Sequence, residues 1–94
     1  MKKLNIGLFG FGNVGHGLYD VLKRINSTNV SIKRICVRHT DKERGVKAEF
    51  TTDPEEIFAD EDINLIVEVI DDADAAYDIV CRALKSRIPV VSGN

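Results

Sequence analysis

No window of this chain approaches the ~18 consecutive apolar residues that a bilayer-crossing helix needs. No secretory leader is expected either. Met1-Lys2-Lys3 is basic, but only Leu4 to Phe9 follows before glycine interrupts the run. The expectation is a cytoplasmic chain with no membrane partner. Cysteine is scarce: Cys36 and Cys81 each sit inside an apolar pattern, with no companion at metal-ligand spacing. Both are expected as small side chains in a reducing compartment, and no metal is expected. An excess of one charge is also lacking, since the net charge is −2. The charges are nonetheless segregated. Residues 1–47 carry ten Lys and Arg against three Asp and Glu, and residues 48–94 carry three against twelve. The basic residues are scattered and no aromatics alternate with them, which argues against a nucleic-acid surface.

With 94 residues, the chain is at most one small domain with a modest core. Leu4 to Phe9 reads as a short buried strand. Val14, Leu18, Val21, Leu22 and Ile25 fall at helical spacing, which predicts a helix from about Asn13 to Ile25. The turn cluster Asn26-Ser27-Thr28-Asn29 stops it. Val30 to Val37 is a second strand rich in β-branched residues, followed by a charged loop from Arg38 to about Ala48 and a brief strand near Glu49–Thr51. Asp53-Pro54-Glu55-Glu56 predicts a short helix, with Asp53 as cap and Glu56 closing a capping box. Ile63 to Ile70 is nearly all apolar, as expected for a parallel strand covered on both faces. A long helix follows, marked by Ala76, Tyr77, Val80, Cys81 and Leu84 and capped by Asp71 or Asp72. Pro89-Val90-Val91 is the last strand. There is no internal repeat and no low-complexity linker. The alternation predicts an α/β fold: a doubly wound parallel sheet of about five strands, helices on both faces, as a single domain or a fragment over residues 1–94.

What the sequence does have is glycine at one junction. Gly10-Phe11-Gly12-Asn13-Val14-Gly15 matches G-x-G-x-x-G. The pattern alone is weak, but here it leaves a predicted strand and opens a predicted helix, as the Rossmann-type dinucleotide-binding fingerprint requires. Gly10 would permit the tight turn. Gly12, lacking Cβ, would admit a pyrophosphate. Gly15 would let the helix pack near the strand. Unpaired amides at the helix start would then face the phosphates.

The tip of the second strand discriminates between cofactors. An Asp or Glu there would bind the adenosine ribose hydroxyls of NAD. This chain has Cys36-Val37-Arg38-His39 instead, with Arg38 standing 28 residues after Gly10. A guanidinium suits a 2′-phosphate, so NADP is expected; His39, Lys42 and Arg44 add positive charge, while Asp41 keeps NAD open. The ends of the later strands, Ile70-Asp71-Asp72 and Ser92-Gly93-Asn94, should complete the cleft. Glu68 stands out inside an apolar strand. It is either hydrogen-bonded in the cleft or turned to an edge. His16 is expected on the helix surface.

Taken together, "GLFGFGNVGHGL", "ICVRHTDKERG" and "INLIVEVIDDADAAYDIVCRALKSRIPVVSGN" resemble the N-terminal NAD(P)-binding domain of homoserine dehydrogenase over essentially the whole chain. In that family the last segment typically has a strand ending Glu-Leu-Ile-Gly-Gly and a strand ending Thr-Ala-Asn-Lys. Here Asp71-Asp72 replaces Gly-Gly, which bears on how closely the backbone approaches the nicotinamide ribose. The resemblance implies hydride transfer between NAD(P)H and L-aspartate 4-semialdehyde, giving L-homoserine for threonine and methionine biosynthesis. It implies that Gly10, Phe11, Gly12, Asn13 and Val14 hold the pyrophosphate and Arg38 the 2′-phosphate. Ile70, Asp71, Ser92 and Asn94 would border the nicotinamide end. The family's catalytic lysines would follow Asn94, so residues 1–94 alone are expected to bind cofactor without turning over. A sheet ending at Asn94 leaves apolar faces, which makes a homo-oligomer plausible. The same half-fold also serves dihydrodipicolinate-reductase-like and aspartate-dehydrogenase-like enzymes. It serves nucleotide-sensing modules too, though those usually carry an acidic residue where Arg38 stands.

Overall fold

The computed structural model describes residues 3–39 and 45–93. In chain order the elements are β1 (Leu4–Phe9), α1 (Asn13–Ile25), β2 (Val30–Cys36), β3 (Phe50–Thr51), α2 (Glu55–Phe58), β4 (Leu65–Glu68), α3 (Ala73–Lys85) and β5 (Val90–Ser92). All pairings are parallel, and the strands lie in the order β3-β2-β1-β4-β5. The expected α/β sheet of five strands is therefore present. β1 is central, and from Ile6 to Phe9 every residue is buried on both faces, which accounts for its unbroken apolar run.

The faces of the sheet hold separate cores. Ile6, Leu8, Ile35 and Val37 pack with Tyr19, Leu18 and Leu22 of α1. Phe9, Cys36 and Ile66 pack with Ile57 and Phe58 of α2 and with Ile79 and Ala83 of α3. Burying each large aliphatic or aromatic side chain contributes about 1.5–3 kcal/mol. α1 ends at Asn26, whose left-handed conformation (φ 51°) lets its N–H donate to the Leu22 carbonyl. Lys23 and Arg24 in the last turn complement the helix dipole.

Three expectations shift. The strands end earlier than apolar composition suggests: β2 stops at Cys36 and β4 spans only Leu65–Glu68. The helices bury only part of the expected stripe: Leu18, Leu22 and Ala76 pack inward as expected. Val14, Val21 and Ile25 of α1 are exposed, as are Tyr77 and Leu84 of α3, while Gly15, Tyr19, Ala76 and Ala83 face the sheet. Close helix–sheet packing favours small residues at the contact, and hydrophobicity alone does not reveal that. Finally, no capping box forms at α2. The Asp53 carboxylate accepts from Glu55 N (3.0 Å), but Glu56 turns to the Thr51 hydroxyl and lies 3.5 Å from Arg34. Asp53 N donates to Thr51 Oγ1 instead.

Candidate functional site

Strand order reverses between β1 and β4, so the loops leaving these two strands diverge and open a crevice at the C-terminal edge of the sheet. A cleft of about 700 Å³ occupies this position. It is walled by the glycine loop (Gly10, Phe11, Gly12), the end of β2 (Val37, Arg38, His39), the end of β4 (Ile70, Asp71, Asp72) and one side of α3 (Ala75, Asp78, Ile79). Backbone bonds fix its floor. Gly10 N donates to the Cys36 carbonyl at 2.9 Å, Val69 N to Phe9 O at 2.9 Å, and Gly93 N to Glu68 O at 2.8 Å.

The three glycines of the loop answer to different constraints. Gly10 has φ +96°, and a Cβ there would lie 2.9 Å from the Val69 carbonyl oxygen. A Cβ on Gly15 would meet the Gly10 carbonyl oxygen at 2.7 Å. Both positions are closed to side chains by the chain's own backbone. Gly12 has φ −81°, which any residue can adopt, and a Cβ there would have nothing within 4 Å. The fold does not require glycine at position 12. Gly12 is the N-cap of α1; no side chain caps this helix start and no acidic residue lies in its first turn. Its carbonyl accepts from His16 N (2.9 Å), while the first amides of α1 point out of the helix end. Phe11 anchors the loop sideways, its ring resting edge-on against Tyr19 and Phe50 at 5.9 and 5.4 Å.

The start of α3 is built the opposite way. Asp72 Oδ1 accepts from Asp74 N (2.9 Å) and Ala75 N (3.2 Å), so this helix is closed by its own carboxylate. The Asp72 Oδ2 atom faces Arg38 Nη2 across the cleft at 3.8 Å. Glu68 is fully buried. It accepts from Ile70 N (2.5 Å) and from the Ser92 hydroxyl (2.7 Å), tying the ends of β4 and β5 together.

Six candidate residues thus share the cleft wall: Gly10, Phe11, Gly12, Arg38, Ile70 and Asp71. Asn13 and Val14 stand exposed in the first turn of α1, outside that wall, and the Ser92 hydroxyl turns to Glu68. Asn94, Asp41, Lys42 and Arg44 lie outside the described residues. His16 is on the helix surface, 3.1 Å from Asp20. The sequence reading missed Ala75, Asp78 and Ile79 as cleft residues. Ala75 stands four and three positions after Asp71 and Asp72, and Asp78 and Ile79 stand three and four after Ala75; that helical spacing was the signal available.

This combination of glycine loop, bare helix start and switch-point cleft is what a dinucleotide-binding domain presents. The family described as homoserine dehydrogenase, NAD binding domain, matches residues 10–94. The chain belongs to that family. It is 33% identical to the homoserine dehydrogenase of Methylobacillus glycogenes over 104 residues, covering 100% of this chain and 25% of that one. It is 30% identical to the Helicobacter pylori homoserine dehydrogenase over 100 residues, covering 99% of this chain and 24% of that one. The crystal structure of S. aureus homoserine dehydrogenase at pH 8.5 superposes with a TM-score of 0.88 at 34% identity, covering 100% of this chain and 26% of that one. The chain spans about a quarter of the length of these relatives. As an NAD-binding domain of this family, it takes a nicotinamide dinucleotide. No helix among the described residues is long and apolar enough to cross a membrane.

Proposed function

We propose that residues 1–94 are the cofactor-binding domain of a homoserine dehydrogenase and that they take NADP in preference to NAD. The observation that carries this reading is the start of α1: an uncapped helix end, with a glycine that nothing in the fold requires, opening on a cleft at the switch point. The amides of the first turn would hold the diphosphate, with Gly12 leaving room for its close approach. Arg38, 72% exposed at the tip of β2, would take the 2′-phosphate by charge-assisted hydrogen bonds. Ile70, Asp71 and Ser92 would border the nicotinamide ribose. In the longer enzyme the bound nicotinamide supplies hydride chemistry between L-aspartate 4-semialdehyde and L-homoserine. This chain's residues bind and orient the cofactor; the groups that act on the substrate come from elsewhere in the protein.

Calorimetric titration with NADP and NAD tests the reading. Both are expected to bind, NADP more tightly. Arg38→Ala should weaken NADP by about 1.5–3 kcal/mol, the worth of a hydrogen bond to a charged group, with the lower end expected at so exposed a site. NAD binding should barely change. Equal losses for both cofactors would refute Arg38 as the phosphate reader, and no binding of either would refute the domain's role.

A further inference from the structure

The Arg38–Asp72 pair in the cleft wall joins the end of β2 to the start of α3. These elements flank β1 on opposite sides, so the pair spans the edge where a dinucleotide must cross the sheet. Its two members differ in freedom. Asp72 is held in place by the two amides it caps. Arg38 is mostly exposed, and at 3.8 Å it makes an ion pair and not a hydrogen bond. A long guanidinium of this kind can change partners at little cost; the capped carboxylate cannot follow it. Asp71 and Asp78 line the same cleft, so the described wall carries three carboxylates against the one guanidinium and His39.

We propose that Asp72 is a specificity-positioning residue that acts through Arg38, competing with the ribose 2′-phosphate for the guanidinium and so limiting the preference for NADP over NAD. The inference rests on the assignment of Arg38 as the phosphate reader. With no phosphate bound, Asp72 holds Arg38 over the cleft mouth. When a 2′-phosphate arrives, Arg38 transfers to it, and the Asp72 charge remains nearby as a repulsive element. NAD brings no phosphate to that position, so neither effect touches its binding. The carboxylate therefore acts on the difference between the two cofactors.

Asp72→Asn separates charge from cap, because asparagine is an equally good N-cap. Titration of the whole chain with NADP and NAD should show the ratio of their affinities rising roughly two- to fivefold at low salt, the range of one exposed ion pair. Asp72→Ser, also a competent cap, should move the ratio the same way. The rise should vanish in an Arg38→Ala background. It should be smaller in Asp71→Asn, which removes a cleft charge outside the ion pair. An unchanged ratio in both Asp72 variants overturns the proposal. So does a rise that persists without Arg38, or one matched by Asp71→Asn. If Arg38→Ala alone leaves the ratio of the parent chain intact, the phosphate-reader assignment falls, and this proposal falls with it.

Discussion

Replacing Gly12 by alanine should separate binding from folding, and replacing Gly10 should not. At position 12 the new methyl meets nothing within 4 Å, and the backbone angle of −81° suits any residue. Glycine is a better N-cap than alanine, while alanine loses less entropy on folding, so stability should stay within about 1 kcal/mol. That methyl projects into the space proposed for the diphosphate. Forcing a bound group to move by that much costs about 1–3 kcal/mol, or roughly 5- to 150-fold in affinity. At position 10 a methyl would sit 2.9 Å from the Val69 carbonyl on a residue with φ +96°. Backbone strain of about 1–2 kcal/mol adds to an overlap of about 1–3 kcal/mol. Each kcal/mol shifts the melting temperature of a domain this size by about 4–8 °C, so Gly10→Ala should melt at least 8 °C lower. Thermal melts by circular dichroism and calorimetric titration with NADP read the two quantities apart. Undiminished binding by Gly12→Ala, or a melting loss equal to that of Gly10→Ala, would refute the division of labour.

Other perturbations follow from the same geometry. Glu68→Ala deprives the part-buried Ile70 N–H of its acceptor, cuts the tie to Ser92 of β5 and opens a cavity, for an expected loss of about 2–4 kcal/mol. A drop of less than about 4 °C in melting temperature would contradict that role. Burial, reinforced by the Asp53 and Glu56 carboxylates, pushes the Cys36 thiol from its ordinary 9.0 up to about 11. A raised acid contributes stability below the unfolded value and loses it as pH rises through the folded one, so the melting temperature should fall between about pH 9 and 11 and do so less in Cys36→Ala. Iodoacetamide at pH 8 should label half-buried Cys81 and spare Cys36; equal labelling would count against this. The Lys33 ammonium, 2.8 Å from Asp60, holds that carboxyl below its ordinary 3.8 by direct hydrogen bonding. A lowered acid stabilises above the ordinary value and stops doing so as pH falls through the folded one. Lys33→Met should therefore flatten the acid side of the stability profile, and an unaltered acid slope would disprove the link.

The parts of this domain legible in the sequence were those set by local chemistry. Asn13 and Ile25 bound α1 as expected because glycine precedes it and an Asn-Ser-Thr-Asn turn follows. Within Leu4–Phe9 the segment Ile6–Phe9 was legible because a central parallel strand needs apolar residues on both faces. The glycine loop was legible because only one residue type fits φ +96° beside a neighbouring carbonyl. What depended on distant partners was not. Ala76 was legible, but nothing local says that Ala83, and not Tyr77 and Leu84, joins it against the sheet, because that follows from how near α3 lies to β4 and β5. The fate of Glu68 required knowing that Ser92 would lie opposite it across β4 and β5. The choice of Glu56 between Asp53 and Thr51 turned on where β3 pairs with β2. Asp72 could be read as a cap, but its approach to Arg38 could not, since the two meet only when the ends of β2 and β4 share one edge.

The starts of the two long helices at that edge are treated in opposite ways, and the contrast says where an anion belongs. Each helix start leaves amides unpaired and a partial positive charge of the dipole. At α3 the chain supplies the Asp72 carboxylate itself, so an incoming phosphate there would meet a negative charge and find the Asp74 and Ala75 amides already taken. At α1 it does neither, although serine or aspartate at position 12 would fit the backbone angle and cap the helix. Forgoing such a cap in favour of glycine costs only a few tenths of a kcal/mol. A domain of this size can bear that, whereas a carboxylate at position 12 would stand in the space proposed for the diphosphate. On the proposed reading the diphosphate would thereby be directed to α1 and not α3, and the adenosine end would lie toward β2, where Arg38 stands.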